Sequence, residues 1–284
     1  MSDLSYTAAV VLGIVEGLTE YLPVSSTGHL TVAEKLLGLQ VDDPAVTAYT
    51  AIIQLGAIAA TVLYFFRDIV RLLVAWVRGL ASAEARRHHD YALAWAVIVG
   101  SVPVGVVGFL GKDLVSGPLR SLWVVAVALI LWSGVMVVAE RVHARRAATS
   151  GERGEGDVTV RDGLLIGLVQ CFSLVPGVSR SGATISAGLL RGLDRVTATR
   201  LSFFMAIPAL TAAGLYEAAS TDLSALGKGQ MAVGIVIAFV VALASIAWLL
   251  RFVAHHTLTW FVGYRIAAGV VIAALLLAGT VTAT

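Results

Sequence analysis

Apolar residues run almost unbroken through six stretches of this chain: Val46 to Phe66, Tyr91 to Gly111, Ser121 to Glu140, Thr199 to Ala219, Met231 to Leu250 and Leu258 to Gly279. Each reaches the roughly 20 residues that an α-helix needs to cross the hydrocarbon of a bilayer. Elsewhere the apolar sequence is broken. Ala8 to Leu22 and Gly28 to Leu37 form one pair of segments, Gly163 to Val175 and Gly182 to Leu193 another, and each segment is too short to cross alone. Pro, Gly, Ser and Thr separate the members of each pair, so each pair is expected to be a helix-loop-helix hairpin that enters the membrane and leaves on the same side. Broken backbone at that depth is tolerated only where protein or a wet cavity satisfies its polar groups.

The two interruptions share one pattern, EGLTEYLPVSSTGHL from Glu16 to Leu30 and QCFSLVPGVSRSGAT from Gln170 to Thr184. An offset of 154 residues pairs Gly167 with Gly13, Gln170 with Glu16, Ser179 with Ser25, Ser181 with Thr27, Gly182 with Gly28 and Gly192 with Gly38, while Pro176 slips one place from Pro23. A repeat of about half the chain, broken by Gly and Pro at corresponding places, points to a membrane protein with its site at the repeat interface.

Composition excludes a soluble globule. Of 284 residues 58% are hydrophobic and 13% charged, with mean hydropathy +0.88, too little polar surface to cover such a body. A net charge of +2 carries no nucleic-acid footprint, and Cys171, the lone cysteine, excludes an internal disulfide. Asp3, the absence of a basic residue before the first apolar stretch, and Glu16 and Glu20 within it argue against a cleavable signal peptide.

Basic residues set the expected topology. Fourteen belong on the cytoplasmic side: Arg67, Arg71, Arg78, Arg86 and Arg87, then Arg141, Arg145, Arg146, Arg153 and Arg161, then Arg191, Arg195, Arg200 and Arg251. Lys35, Lys112, Arg120 and Lys228 face the other way, beside acidic Asp42 and Asp43. Three crossings separate the hairpins, so the first enters from outside and the second from the cytoplasm, with both termini outside. The expected fold is an all-α integral membrane protein with an inverted-topology repeat, six transmembrane helices and two re-entrant hairpins. It forms one membrane domain over 1–284, with pseudo-repeats of about 1–146 (hairpin 8–37) and 158–284 (hairpin 163–193). Arg67 to Leu80 suits an interfacial helix, and Ala147 to Asp157, rich in Gly, Ser, Glu and Arg, reads as a mobile loop.

Ionisable groups inside membrane segments mark function. Glu16 and Glu20 are four apart and share a helix face, so a proton, a cation or an arginine is needed to offset them. Arg180 sits where Ser26 sits in the first hairpin, and if the tips meet it serves as counter-ion to the acids, as phosphate ligand, or as both. Ser25, Ser26 and Thr27 precede one helix start, and Ser179 and Ser181 flank the other. One hydroxyl per hairpin suffices for capping. Five of them at positive helix ends, with His29 three residues after Ser26, read as a phosphate cradle with a nucleophile and a proton carrier. Gln54 either lines the cavity or bonds a neighbouring helix. Arg265, near Trp260 and Tyr264, reads as an interface anchor, and Asp162 as a cap of the second hairpin. A carrier or lipid flippase is the rival reading, because inverted repeats with broken helices serve alternating access.

The pattern E-G-x-T-E-x-L-P-x-S-S-T-G-H-L, together with P-G-x-S-R-S-G-A-T, resembles the undecaprenyl-diphosphate phosphatase family, the bacitracin-resistance type of bacterial membrane enzyme. The resemblance extends to Gln54-Leu55-Gly56 and Tyr264-Arg265-Ile266. It implies hydrolysis of undecaprenyl diphosphate to the monophosphate carrier and phosphate, serving peptidoglycan synthesis, in the bacterial inner membrane with the site open to the outer face. It implies assistance by Mg2+ or Ca2+, which Glu16 and Glu20 would hold. Glu16, Glu20, Ser26, His29 and Arg180 are carried over as catalytic, and Ser25, Thr27, Ser179, Ser181, Thr184 and Gln54 as substrate-binding. The resemblance leaves Ser26 or water as nucleophile, and a homodimer is compatible with the sequence.

Overall fold

A computed structural model describes residues 4–41, 43–220 and 227–283; Asp3 of the signal-peptide argument and Asp42 of the charge count lie outside them. The described residues form twelve α-helices and no strand. They are α1 (Tyr6–Thr19), α2 (Ser26–Leu36), α3 (Pro44–Tyr64), α4 (Phe66–Ala81), α5 (His89–Leu110), α6 (Lys112–Ser116), α7 (Leu122–Ser150), α8 (Val160–Gln170), α9 (Arg180–Leu190), α10 (Arg195–Ser220), α11 (Lys228–Val253) and α12 (Thr259–Leu277). Six are long and apolar enough to cross a membrane: α3, α5, α7, α10, α11 and α12. Each overlaps a stretch expected from the sequence. The paired segments are short, α1 at 14 residues and α2, α8 and α9 at 11 each.

Local chemistry sets the helix starts. Ser5, Ser121 and Asp43 accept backbone N–H groups of Ala8, Trp123 and Ala45, and Pro44 follows Asp43 where its missing N–H is no loss. Thr159 and Asp162 form a reciprocal capping box at the start of α8, so Asp162 caps the second hairpin with Thr159 as the leading residue.

Small residues then decide which helices meet. A Cβ on Gly17 of α1 would lie 2.6 Å from the Ala238 carbonyl of α11, and one on Gly13 2.9 Å from that of Gly234. Gly163 and Gly167 of α8 lie as tightly on the backbone of Ala96 and Gly100 of α5. Helices that bury no water between them associate by such close approach. The first helix of each short pair therefore rests on the middle span of the other half, α1 on α11 and α8 on α5, while α3 packs on α10 and α7 on α12.

The second members differ. In α9 every residue from Ser181 to Leu189 is buried, held by α7, α8 and α10. In α2 only Gly28, Leu30, Thr31 and Glu34 are buried, and the helix lies chiefly on α1 with a light contact to α7.

One end of the bundle is knotted by arginines of the basic count. Arg71 reaches Asp90 at 2.8 Å and Glu155 at 2.7 Å, and Arg200 reaches Glu155 at 2.7 Å and Asp68 at 3.0 Å. Arg153 and Arg191 share buried Asp162, and Arg195 grips Glu140, whose other bond is to the Leu258 N–H. These contacts overturn the expectation of a mobile loop over Ala147 to Asp157. Helix α7 runs on to Ser150, Arg153 bridges to Leu193, and a short 3-10 turn at Glu155–Asp157 carries the ion pairs. Composition gave the loop reading, and partners distant in sequence override it.

Burial opposes the charge on Glu155, but hydrogen bonds from Arg71 and Arg200 outweigh it and hold the carboxyl below its usual value of 4.5. A depressed carboxylate stabilises the fold above that value and ceases to do so as pH falls through the lower, folded one. The apparent melting temperature in detergent is expected to drop as pH is lowered below about 4.5, and Glu155→Gln to flatten part of that drop. An unchanged slope in the variant contradicts the assignment.

Candidate functional site

The loops between the short helices meet in the middle of the bundle. Ser25 and Ser179, the residues paired by the sequence offset, both adopt left-handed backbone, φ 77° and 78°. That region disfavours a residue with a Cβ, and such strain persists where surrounding contacts over-determine it. Each serine caps the helix it precedes, Ser25 Oγ accepting from Gly28 N and Ser179 Oγ from Gly182 N. Ser25 Oγ also accepts from Gly177 N of the other tip at 3.1 Å, and Ser181 Oγ donates to the Leu22 carbonyl at 3.0 Å. The two tips are thereby stitched to each other.

An ion pair crosses the same seam. Arg180 Nη2 lies 3.0 Å from Glu20 Oε1, with both side chains nearly buried. Arg180 Nη1 donates to the Ser202 carbonyl at 3.0 Å, and its guanidinium lies over the Tyr21 ring at 5.6 Å. Thr184 Oγ1 bonds Ser202 Oγ at 2.7 Å and so braces the same support. Glu20 Oε2 accepts from Ser26 Oγ at 2.6 Å and from Gln54 Nε2 at 3.4 Å. Gln54 thus reaches from α3 to the carboxylate at the end of α1. Ser179 and Ser181 bond each other at 3.1 Å, and Thr27 is exposed in the first turn of α2.

Three buried polar atoms in this centre find no partner among the described residues: both carboxylate oxygens of Glu16 and Nε of Arg180. Buried polar groups are satisfied in nearly all folded proteins, so such atoms need an explanation. Glu16 is fully buried, one turn before Glu20 on α1.

His29 is fixed from both sides. Its Nδ1 lies 2.7 Å from the Ser25 carbonyl, which only accepts, so Nδ1 carries the hydrogen; Nε2 is left to accept from the Tyr264 hydroxyl at 2.5 Å. The two rings stack at 5.6 Å. The Ser26 hydroxyl thus points at Glu20 and the unprotonated His29 nitrogen at Tyr264.

Arg265 is not an interface anchor. It is fully buried and donates to the carbonyls of Pro23, Gly177 and Val178 and to Ser133 Oγ. The neighbouring aromatic residues suggested an interface, but Arg265 lies on the face of α12 that packs against α7. Tyr264, Arg265, Ser202 and Tyr21 are the site's neighbours that sequence reasoning missed. The only signal for the first two was their presence in the Tyr264-Arg265-Ile266 motif.

Six membrane-crossing helices around a buried cluster of acids, hydroxyls and an arginine define a multi-pass membrane protein with a polar centre. The chain belongs to the family described as Bacitracin resistance protein BacA, which matches residues 9–271. It is 56% identical to a protein of Frankia casuarinae named Undecaprenyl-diphosphatase 3, over 97% of this chain and 98% of that one. An Undecaprenyl-diphosphatase of Acidothermus cellulolyticus is 53% identical over 97% and 98%, and one of Cutibacterium acnes 52% identical over 99% and 100%.

The strained serines give a direct test. Ser179→Ala loses the cap while keeping a Cβ at φ 78° and is expected to cost about 0.5–2 kcal/mol of stability, with Ser179→Gly milder because glycine tolerates that backbone. Thermal unfolding of the purified variants checks the order, and a glycine variant weaker than the alanine one contradicts it.

Proposed function

We propose that this protein hydrolyses undecaprenyl diphosphate to undecaprenyl phosphate and inorganic phosphate, returning the lipid carrier for peptidoglycan synthesis and conferring bacitracin resistance. One observation carries the reading: the Glu20 carboxylate holds the Ser26 hydroxyl at 2.6 Å and Arg180 at 3.0 Å at once. A hydroxyl on a base, beside a fixed guanidinium, is the arrangement that phosphoryl transfer needs. The names of the close relatives agree.

The terminal phosphate lies against the unpartnered Arg180 Nε and the N–H ends of α2 and α9, where helix dipoles favour an anion. Ser26 Oγ attacks the terminal phosphorus while its proton passes to Glu20, and the bridging P–O bond breaks to release undecaprenyl phosphate. Water then attacks the phosphoserine phosphorus, its proton passing to His29 Nε2 in place of the Tyr264 hydroxyl, while Glu20 returns its proton to Ser26 Oγ as the serine P–O bond breaks and phosphate leaves. Ser25 and Ser179 hold the two helix starts in place, Ser181 and Thr184 brace the second tip, and Thr27 lines the approach. Glu16 and Glu20 would hold a hard divalent cation such as Mg2+ or Ca2+, the buried Glu16 carboxylate offering oxygens that meet no cationic side chain. When bound, such a cation withdraws charge from the phosphate oxygens.

The same reading orients the chain in the bacterial inner membrane. The arginine-bound end faces the cytoplasm, the two short pairs are re-entrant hairpins of an inverted repeat, and both termini lie outside. The lipid head enters along the sparsely packed flank of α2, whose far end carries Lys35 bonded to Thr282. That end is the outer face.

Phosphate release from undecaprenyl diphosphate in detergent, with divalent cation supplied, tests hydrolysis where no gradient can drive a carrier. Wild type is expected to release phosphate and to yield a trapped phosphoserine at position 26. Ser26→Ala is expected to lose on the order of a hundredfold or more in rate, about 3 kcal/mol. Substantial turnover by the alanine variant overturns the nucleophile assignment, and no release by wild type overturns the function.

A further inference from the structure

Arg265 is a buried cation without an anion. Its guanidinium donates to Ser133 Oγ at 3.2 Å and to the carbonyls of Pro23, Gly177 and Val178 at 2.9, 2.8 and 3.1 Å, all of them neutral acceptors. Among the described residues it takes part in none of the ion pairs; of the two acids of the centre, Glu20 is engaged by Arg180 and Glu16 meets no arginine. Arginine does not shed its proton in proteins, and a buried charge normally has a partner because leaving water is costly. Helices α2 and α9 also start from these loops, and their N-terminal ends add positive potential in the same direction. Arg265 and these helix ends therefore place positive charge at the seam that no carboxylate contacts.

We propose that Arg265 is a positioning residue that clasps both hairpin tips and, as a fixed positive charge behind them, has the diphosphate of the lipid substrate as its counter-ion. It does not touch the substrate, because loop carbonyls from both tips surround its guanidinium. Its field acts through a low-dielectric interior, where a unit charge reaches several ångströms with little screening. The clasp and the charge are separable functions. The clasp explains why Pro23 of one loop and Gly177 of the other stay in register. A neutral amide has two N–H donors and no charge, so it would keep part of the clasp and none of the field. This inference rests on the proposed diphosphatase reading, and the test separates the two.

Binding of a prenyl methylenediphosphonate, which cannot be hydrolysed, is measured in detergent beside the uncharged prenol of the same tail. The proteins are wild type, Arg265→Gln, Arg265→Lys and Ser133→Asp. Failure of wild type to bind the diphosphonate overturns the functional reading itself. Given wild-type binding, Arg265→Gln is expected to bind the diphosphonate roughly tenfold or more weakly while prenol binding is unchanged, and Arg265→Lys to recover most of the loss. Ser133→Asp keeps the arginine and gives it a private carboxylate, so the melting temperature is expected to hold or rise while diphosphonate affinity falls by a similar factor. Should Arg265→Gln fail to fold, Ser133→Asp decides alone. Wild-type diphosphonate affinity in either Arg265→Gln or Ser133→Asp overturns the proposal, as does a lysine variant as weak as the glutamine one.

Discussion

The Glu20 to Arg180 ion pair is the interaction on which the rest of this structure depends. Both partners are nearly withdrawn from solvent, and taking two charges out of water is repaid only with close geometry and further hydrogen bonds. Those bonds are present: Ser26 and Gln54 on the acid, and the Ser202 carbonyl and hydroxyl on the guanidinium. The pair is also the reason the two loops must meet, because either loop alone would leave a buried charge uncompensated. Everything around it serves that meeting, from the Ser25 hydroxyl that reaches Gly177 to the Arg265 donors that hold carbonyls of both loops.

Helix packing delivers the loops to that point. Gly13 and Gly17 let α1 sink onto α11, and Gly163 and Gly167 let α8 sink onto α5, in each case with no room for a side chain. Because each short helix leans on the middle span of the other half, the two tips meet. Equal backbone at equivalent places, φ 77° at Ser25 against 78° at Ser179 and 73° at Gly38 against 82° at Gly192, shows one local design used twice. The two uses have diverged in chemistry. Ser26 answers to Arg180, Glu16 to Gln170, and tightly buried α9 to the looser α2.

Much of this was legible in the sequence, for physical reasons that can be named. Span lengths follow from bilayer thickness, so Val46 to Phe66 was readable as α3 to within two residues at either end. The 154-residue offset identified Ser25 and Ser179 as equivalent, and acids at membrane depth marked Glu16 and Glu20. Arg265 was misread because nearby Trp260 and Tyr264 imitate an interface belt, and a one-dimensional pattern does not say which face of α12 turns inward. The stretch around Arg153 was misread because composition is blind to partners: its order comes from Asp162, Gly192 and Leu193. The bond from Ser26 to Glu20, against the expected relay through His29, depends on rotamers that no spacing rule fixes.

The most direct test of a shared pocket is a double-mutant cycle on kcat/KM with Glu20→Gln, Arg180→Gln and the two together. If the tips build one site around this pair, each single change removes the same unit and the double variant is little worse than the poorer single one, an interaction of about 0.5–3 kcal/mol or more. Losses that simply multiply would mean that the acid and the arginine work independently, and would contradict the account.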